Sequence, residues 1–330
     1  MDNEHQALFV CRHQLVRCMD TATRAAWRLV CRQTCLDVLE ASQDLRWLGG
    51  QAFSVRERVE NPALYRPSSL PMGLMRKFKH LRCLGCNDMQ SLTSLDGLPC
   101  SLLGLDLDNC SKIQDFTPLS QCTALRHLEV GFGLPLGGDP EQLAGVLQGL
   151  TLLSSLHLYG RATGREQQDA AVKALADVLP VLSQLTLLRM PGMLQRASGA
   201  RVVAAGLCQL TRLSVLHLTC NLLGGEAALA LAPALQAMPW LQALNLAYSR
   251  LTHKDLESDL GEALAGRSDL TTLNLEGNAL RNEGAEALLP VLRSLPRLRC
   301  LNVRYCELAT HGNRVLQRVA VDMPGLEVLL

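Results

Sequence analysis

Leu213-Ser-Val-Leu216-His-Leu218, Leu241-Gln-Ala-Leu244-Asn-Leu246, Leu270-Thr-Thr-Leu273-Asn-Leu275 and Leu298-Arg-Cys-Leu301-Asn-Val303 are four copies of one pattern, LxxLxL. Their starts are 28, 29 and 28 residues apart (213 to 241, 241 to 270, 270 to 298). A fixed period of this size marks a solenoid, in which each repeat buries its apolar side against its neighbours only. Working outward, further copies begin at Leu81, Leu102, Leu125, Leu153 and Leu185, and a truncated copy begins at Leu326. The array therefore holds nine full repeats and a tenth strand. The spacing shortens upstream, to 21 residues from Leu81 to Leu102 and 23 from Leu102 to Leu125. An apolar residue three positions before most starts (Leu150, Leu182, Leu210, Leu295, Met323) fixes the same register independently.

Side chains alternate along a strand. The leucines at positions 1, 4 and 6 of each copy should therefore face the interior, and positions 3, 5, 7 and 8 the open sheet face. Between strands, apolar residues recur at three- and four-residue spacing over Ala170 to Leu182, Glu226 to Met238 and Glu283 to Leu295, which predicts helices. Pro233 and Pro290 fall in the same phase and predict a bend or a late helix start, because proline lacks the N–H donor. The segment from Cys110 to Leu125 carries no helical stripe and should be extended or 3₁₀. Position 9 is Cys110, Asn221, Asn278 and Cys306 in four copies, side chains suited to the backbone groups of a turn. Met89, Gly133, Arg161, Met193 and Ser249 depart from this and predict an irregular ladder.

These residues resemble the leucine-rich repeat family. The long copies, such as residues 273 to 298, resemble its ribonuclease-inhibitor-like subfamily. The resemblance implies an α/β solenoid (a horseshoe) with a parallel concave sheet and convex helices. The short copies span 81–124 and the long ones 125–330. The final strand, Leu326-Glu-Val-Leu329-Leu330, is expected to be a half-repeat cap or a contact surface.

Residues 1–48 read as a helical head, and 49–80, with Gly49-Gly50, Pro62, Pro67 and Pro71, as a linker or cover. Within the head, Trp27-Arg-Leu29-Val30-Cys31-Arg32-Gln33 resembles the core of an F-box. That resemblance implies a ubiquitin-ligase adaptor docked at Trp27, Leu29 and Val30. The alternative is a helical cap over the first repeat, since terminal repeats need a cover.

Composition narrows the function classes. The net charge of +1 (32 minus 31) gives no electrostatic argument for nucleic acid or for an anionic membrane surface. Aromatics at 4% make base-stacking platforms unsupported. No 18-residue apolar run exists and the N-terminus is polar, so no membrane span or secretory leader is expected. Thirteen cysteines without framework spacing point to free thiols and a cytoplasmic or cytoskeleton-associated protein. No phosphate-binding or dinucleotide glycine pattern is present, and neither cofactor nor metal is expected. His157 and His217 share a ladder with no Ser or Cys nucleophile between them, so no catalytic set is expected.

The ladders name the candidate site. Position 5 runs Gly85, Asp106, Glu129, His157, Arg189, His217, Asn245, Asn274, Asn302, and position 7 adds Asp108, Tyr159, Glu276 and Arg304. The face reads as acidic first, neutral to basic in the middle, and amide-rich with Tyr248 and Tyr305 at the end. Tyr and Arg dominate binding hot spots. The expected function is a non-enzymatic protein-binding scaffold or assembly subunit that uses Tyr159, Arg189, His217, Asn245, Tyr248, Asn274, Glu276, Asn302, Arg304 and Tyr305. The alternatives are an F-box-type substrate receptor and a regulator of an enzyme, of the ribonuclease-inhibitor or GTPase-activator kind. Arg161 is the candidate arginine finger for the last, on a protruding loop from Gly160 to Gln168.

Overall fold

The computed structural model describes the backbone of Asp44–Leu48 and residues 82–330, apart from 88–91, 108–109, 111, 133–139 and 161–164. The chain divides into two units, Met1–Leu153 and Ser154–Leu330.

In the N-terminal unit the described strands are β1 (Asp44–Leu48), β2 (Cys83–Asn87), β3 (Gly104–Leu107) and β4 (His127–Phe132). They pair in chain order, all parallel. The position-4 leucines Leu84, Leu105 and Leu128 are register partners and are buried. The link before β4 is a 3₁₀ turn, Thr117–Gln121, with its proline at the helix start. This is the short connection that the unstriped sequence there predicts. Helix α1 (Pro140–Gly149) follows β4. One reading of the head is corrected: Asp44–Leu48 is a strand on the edge of β2, not the end of a helix. Leu45-Arg46-Trp47 alternates apolar, polar, apolar, so period 2 prevails over period 3.6 there. The remainder of the 1–48 head and the 49–80 linker lie outside the described residues, as do Trp27, Leu29 and Val30.

The C-terminal unit repeats strand and helix with little variation. Its strands are β5 (Ser155–Gly160), β6 (Leu187–Arg189), β7 (Val215–His217), β8 (Ala243–Asn245), β9 (Thr272–Asn274), β10 (Cys300–Asn302) and β11 (Glu327–Leu329). Each pairs in parallel with the next. Parallel neighbours need a crossover, supplied by α2 (Arg165–Val178), α3 (Ala197–Leu207), α4 (Glu226–Gln236), α5 (His253–Leu256) with α6 (Asp259–Ala265), α7 (Arg281–Arg293) and α8 (Thr310–Asp322). Positions 4 and 6 supply the core. Leu188, Leu216, Leu244, Leu273 and Leu301 are register partners at 0–1% exposure, and Met190, Leu218, Leu246, Leu275 and Val303 match them. From the other side α7 contributes Ala285, Leu288, Val291 and Leu292, one apolar stripe at helical spacing. Pro233 and Pro290 sit inside α4 and α7, and both helices start well before them, so the late start is not realised.

Two features of the turn after each strand hold the repeats in register. First, the residue at position 8 is left-handed in five consecutive repeats: Gly192 (φ 70°), Cys220 (60°), Tyr248 (54°), Gly277 (67°) and Tyr305 (56°). The N–H groups of Cys220, Tyr248 and Gly277 still donate to the position-7 carbonyls of the next repeats, at 2.7–2.9 Å. Second, position 9 stitches neighbouring repeats. Asn221 donates to the position-6 carbonyls of its own repeat (Leu218, 2.8 Å) and of the preceding one (Met190, 2.9 Å), and accepts from the Leu194 N–H. Asn278 does the same with Leu275 and Leu246, accepting from the Ser249 and Leu251 N–H groups. The Cys306 and Cys110 thiols reach the preceding position-6 carbonyls of Leu275 and Cys86. Ser249 does not interrupt the ladder: its hydroxyl donates to the Leu218 carbonyl at 3.3 Å. The same hydroxyl also lies 3.2 Å from the Ala247 carbonyl, and its one proton serves one of the two, where the Asn278 amide makes four bonds.

Candidate functional site

On the sheet face turned away from the helices, position 5 of the C-terminal unit forms one row. His157, Arg189, His217, Asn245, Asn274 and Asn302 are successive register partners. Strand spacing places each about 4.8 Å from the next. The row divides at Asn245 by what the side chains do. The amide oxygens of Asn245, Asn274 and Asn302 accept from the N–H groups two residues on, at Ala247 (3.0 Å), Glu276 (2.9 Å) and Arg304 (3.1 Å). These are asparagine turns that fix the chain where it leaves the strand. The amide-rich zone is therefore partly scaffold.

Arg189 and His217 make no such bond among the described residues. His157 is 8% exposed, and Arg189 and His217 are half-buried. Burial, then the neighbouring Arg189 guanidinium, then His157 hold the His217 imidazole below its ordinary pKa. The middle of the face is a row of nitrogen side chains that repel one another when protonated.

At the other end, Glu276 is a hub. Its carboxylate accepts from the Tyr248 hydroxyl at 2.8 Å and from Asn302 Nδ2 at 2.8 Å. That hydrogen bond, more than any other influence, raises the Tyr248 phenol above its ordinary pKa. The Tyr248 ring lies over Gly277, where an added Cβ would run into ring carbons. A glycine is needed there on two counts, the left-handed φ and the close ring. Arg304 is exposed, and Tyr305 is 76% exposed on a left-handed backbone. A non-glycine residue in that conformation costs about 1–2 kcal/mol. Tyr159, on β5, is half-buried, in strand alternation with His157.

The ten residues expected on this face thus lie on one strip of one unit, in two clusters: Tyr159, Arg189 and His217 toward β5, and Tyr248, Glu276, Asn302, Arg304 and Tyr305 toward β10. Asn245 and Asn274 lie between, holding backbone. The left-handed backbone under Tyr248 and Tyr305 was missed in the sequence. The glycines Gly192 and Gly277, in the same phase as the tyrosines, were the signal for it. In the N-terminal unit Asp106 and Glu129 are half-buried register partners, whereas Asp108 lies outside the described residues. Arg161 also lies outside them. Cys83 is half-buried and Cys86 buried, and neither is in a disulfide. Among the described residues no three His, Cys, Asp or Glu side chains converge to hold a metal ion. Among them, too, no helix is long and apolar enough to cross a membrane.

A family profile described as Leucine Rich repeat matches residues 268–289, which span β9 and the start of α7. The fold is a leucine-rich repeat solenoid. The chain is similar to the Tonsoku-like protein of Bos taurus, 34% identical over 178 residues. That match covers 51% of this chain and 12% of the relative, so the chain spans about an eighth of the relative's length. Among solved structures it is similar to an internalin (InlF) from Listeria monocytogenes. The identity is 16% and the TM-score 0.49, over 96% of this chain and 87% of that one.

Proposed function

We propose that the chain is a non-enzymatic protein-binding module, a scaffold or a subunit of a larger assembly, and that its partner docks on the open sheet face of Ser154–Leu330. The observation that carries this is Tyr248 and Tyr305, exposed aromatics held on left-handed backbone beside Glu276, Asn302 and Arg304. Backbone strain persists where the surrounding structure fixes it, and it clusters at functional sites. Exposed aromatics bordered by charged and amide groups are the composition of a binding hot spot. The period of 28–29 residues with a helix in each crossover supports a ribonuclease-inhibitor-like subclass of repeat. A photo-crosslinking residue at Arg304 should capture a protein from a cell extract, and one at Arg318, exposed on α8, should not. Capture from Arg318 alone would refute the reading.

The F-box-like stretch Trp27-Arg-Leu29-Val30-Cys31-Arg32 supports a second reading, a substrate receptor of a cullin ubiquitin ligase. Its test is co-purification of adaptor and cullin with the full chain but not with residues 1–48 deleted. Their absence from the full-chain preparation refutes it.

A further inference from the structure

The middle of the face carries a charge that the fold itself does not use. Among the described residues, no carboxylate pairs with Arg189, and its Nε is buried with no hydrogen-bond partner. A buried, unsatisfied guanidinium N–H is expensive to keep, and native proteins seldom leave one without a reason. The local sequence explains why Arg189 has no scaffold task. In the later repeats the position-5 side chain accepts from the N–H at position 7. Here neither half of that bond exists, since the Arg189 guanidinium has no acceptor and position 7 is Pro191, which has no N–H. The arginine is also flanked across the register by His157 on β5 and His217 on β7. Along its own strand it lies between Leu187 and Pro191, and Val215 is the register partner of Leu187. Three nitrogen side chains therefore lie side by side on a partly apolar floor.

We propose that Arg189, with His157 and His217 beside it, is the seat for an anionic side chain of a bound polypeptide, its carboxylate or phosphoryl oxygens taking the guanidinium fork. Planar, two-point recognition of such oxyanions is what a guanidinium does and an ammonium does not. The two imidazoles lie roughly 10 Å apart across the arginine, two strand spacings, close enough for both to face the same group. An anion here would also offset the repulsion from Arg189 and His157 that, after burial, lowers the His217 pKa. The inference rests on the open-face reading above and names the chemistry of that partner.

The test uses the full chain and three hexapeptides: six glutamates, six phosphoserines and six glutamines. Binding is followed by NMR through the His217 imidazole signals and through the affinity. At least one acidic peptide should shift the His217 signals, and the glutamine peptide should not. The acidic peptide that binds more tightly identifies carboxylate or phosphoryl as the group recognised. Arg189→Gln should weaken that binding at least tenfold, and Arg189→Lys should restore part of it. Equal shifts with the glutamine peptide, no shift with either acidic peptide, or an affinity unmoved by Arg189→Gln would overturn the proposal. Should Arg189→Gln fail to fold, the His217 signals of the unsubstituted chain still decide. If the peptides fail while Arg304 still crosslinks a partner, the anion seat falls and the open-face reading stands.

Discussion

Asn278→Ala tests the ladder that sets the spacing of the whole face. The Asn278 side chain is 1% exposed and joins two repeats. It accepts from the N–H groups of Ser249 and Leu251, both at 3.0 Å, and donates to the carbonyls of Leu246 at 2.9 Å and Leu275 at 2.7 Å. Alanine removes all four bonds and leaves two buried N–H donors without an acceptor. Each buried donor left unmade costs about 1–3 kcal/mol, so the loss should be about 3–5 kcal/mol. Asn278→Ser should cost less, because Ser249 shows that a hydroxyl at position 9 still reaches the preceding repeat's position-6 carbonyl. Equilibrium unfolding in urea measures the loss, and amide hydrogen exchange at Ser249 and Leu251 locates it. A loss under about 1 kcal/mol, or protection unchanged at those two amides, would refute the view that position 9 carries the inter-repeat stitching.

Other expectations follow from the same geometry. Arg267 Nη1 donates to the Leu235, Gln236 and Met238 carbonyls at the end of α4, so Arg267→Ala should lower stability by about 1–2 kcal/mol in urea unfolding, with Arg267→Lys recovering only part. His217 is held below its ordinary value of 6.5, so below that pH the unfolded chain binds the proton more readily, and the stability present above it is lost as pH falls through the folded value. His217→Asn should flatten this part of the stability–pH curve below about pH 6.5, and an unchanged slope would count against an imidazole held down by burial and by Arg189. Tyr305→Asn should raise stability by about 0.5–1 kcal/mol in thermal unfolding, because asparagine tolerates the left-handed backbone and the ring is 76% exposed, and it should weaken partner binding at the same time.

The repeat unit was legible in the sequence because its signal is redundant. The leucines at positions 1, 4 and 6, the apolar residue three before most starts and the helix stripes all give one register, and each strand from β2 to β10 falls on it, whereas β11 pairs one residue out of it, Leu301 with Val328 and not with Leu329. Asp44–Leu48 was hidden because it lies 39 residues before the β2 register (44 to 83) and lacks a leucine at position 1. Only the Leu45-Arg46-Trp47 alternation marks it. On the open face, the sequence places residues in rows but does not say which of them are occupied with the fold. Asn245, Asn274 and Asn302 look like binding amides until their oxygens are found on their own backbone. Glu276 looks like one more polar residue until Tyr248 and Asn302 converge on it. Both outcomes depend on turn geometry a few residues away, which no spacing rule reads. Arg189 shows the converse, since its buried Nε is found to have no partner among the described residues only when its neighbours are located.

We propose that the open sheet face between β5 and β10 binds protein. The most direct measurement is quantitative mass spectrometry of proteins co-purifying with the full chain, with the triple variant Tyr248→Ala, Arg304→Ala, Tyr305→Ala, and with a helix-side control, Arg314→Ala, Arg318→Ala. All five altered side chains are exposed, so each chain should fold. At least one partner should be lost, by tenfold or more, with the triple variant and kept with the control. Partners lost with the control and kept with the triple variant would contradict it.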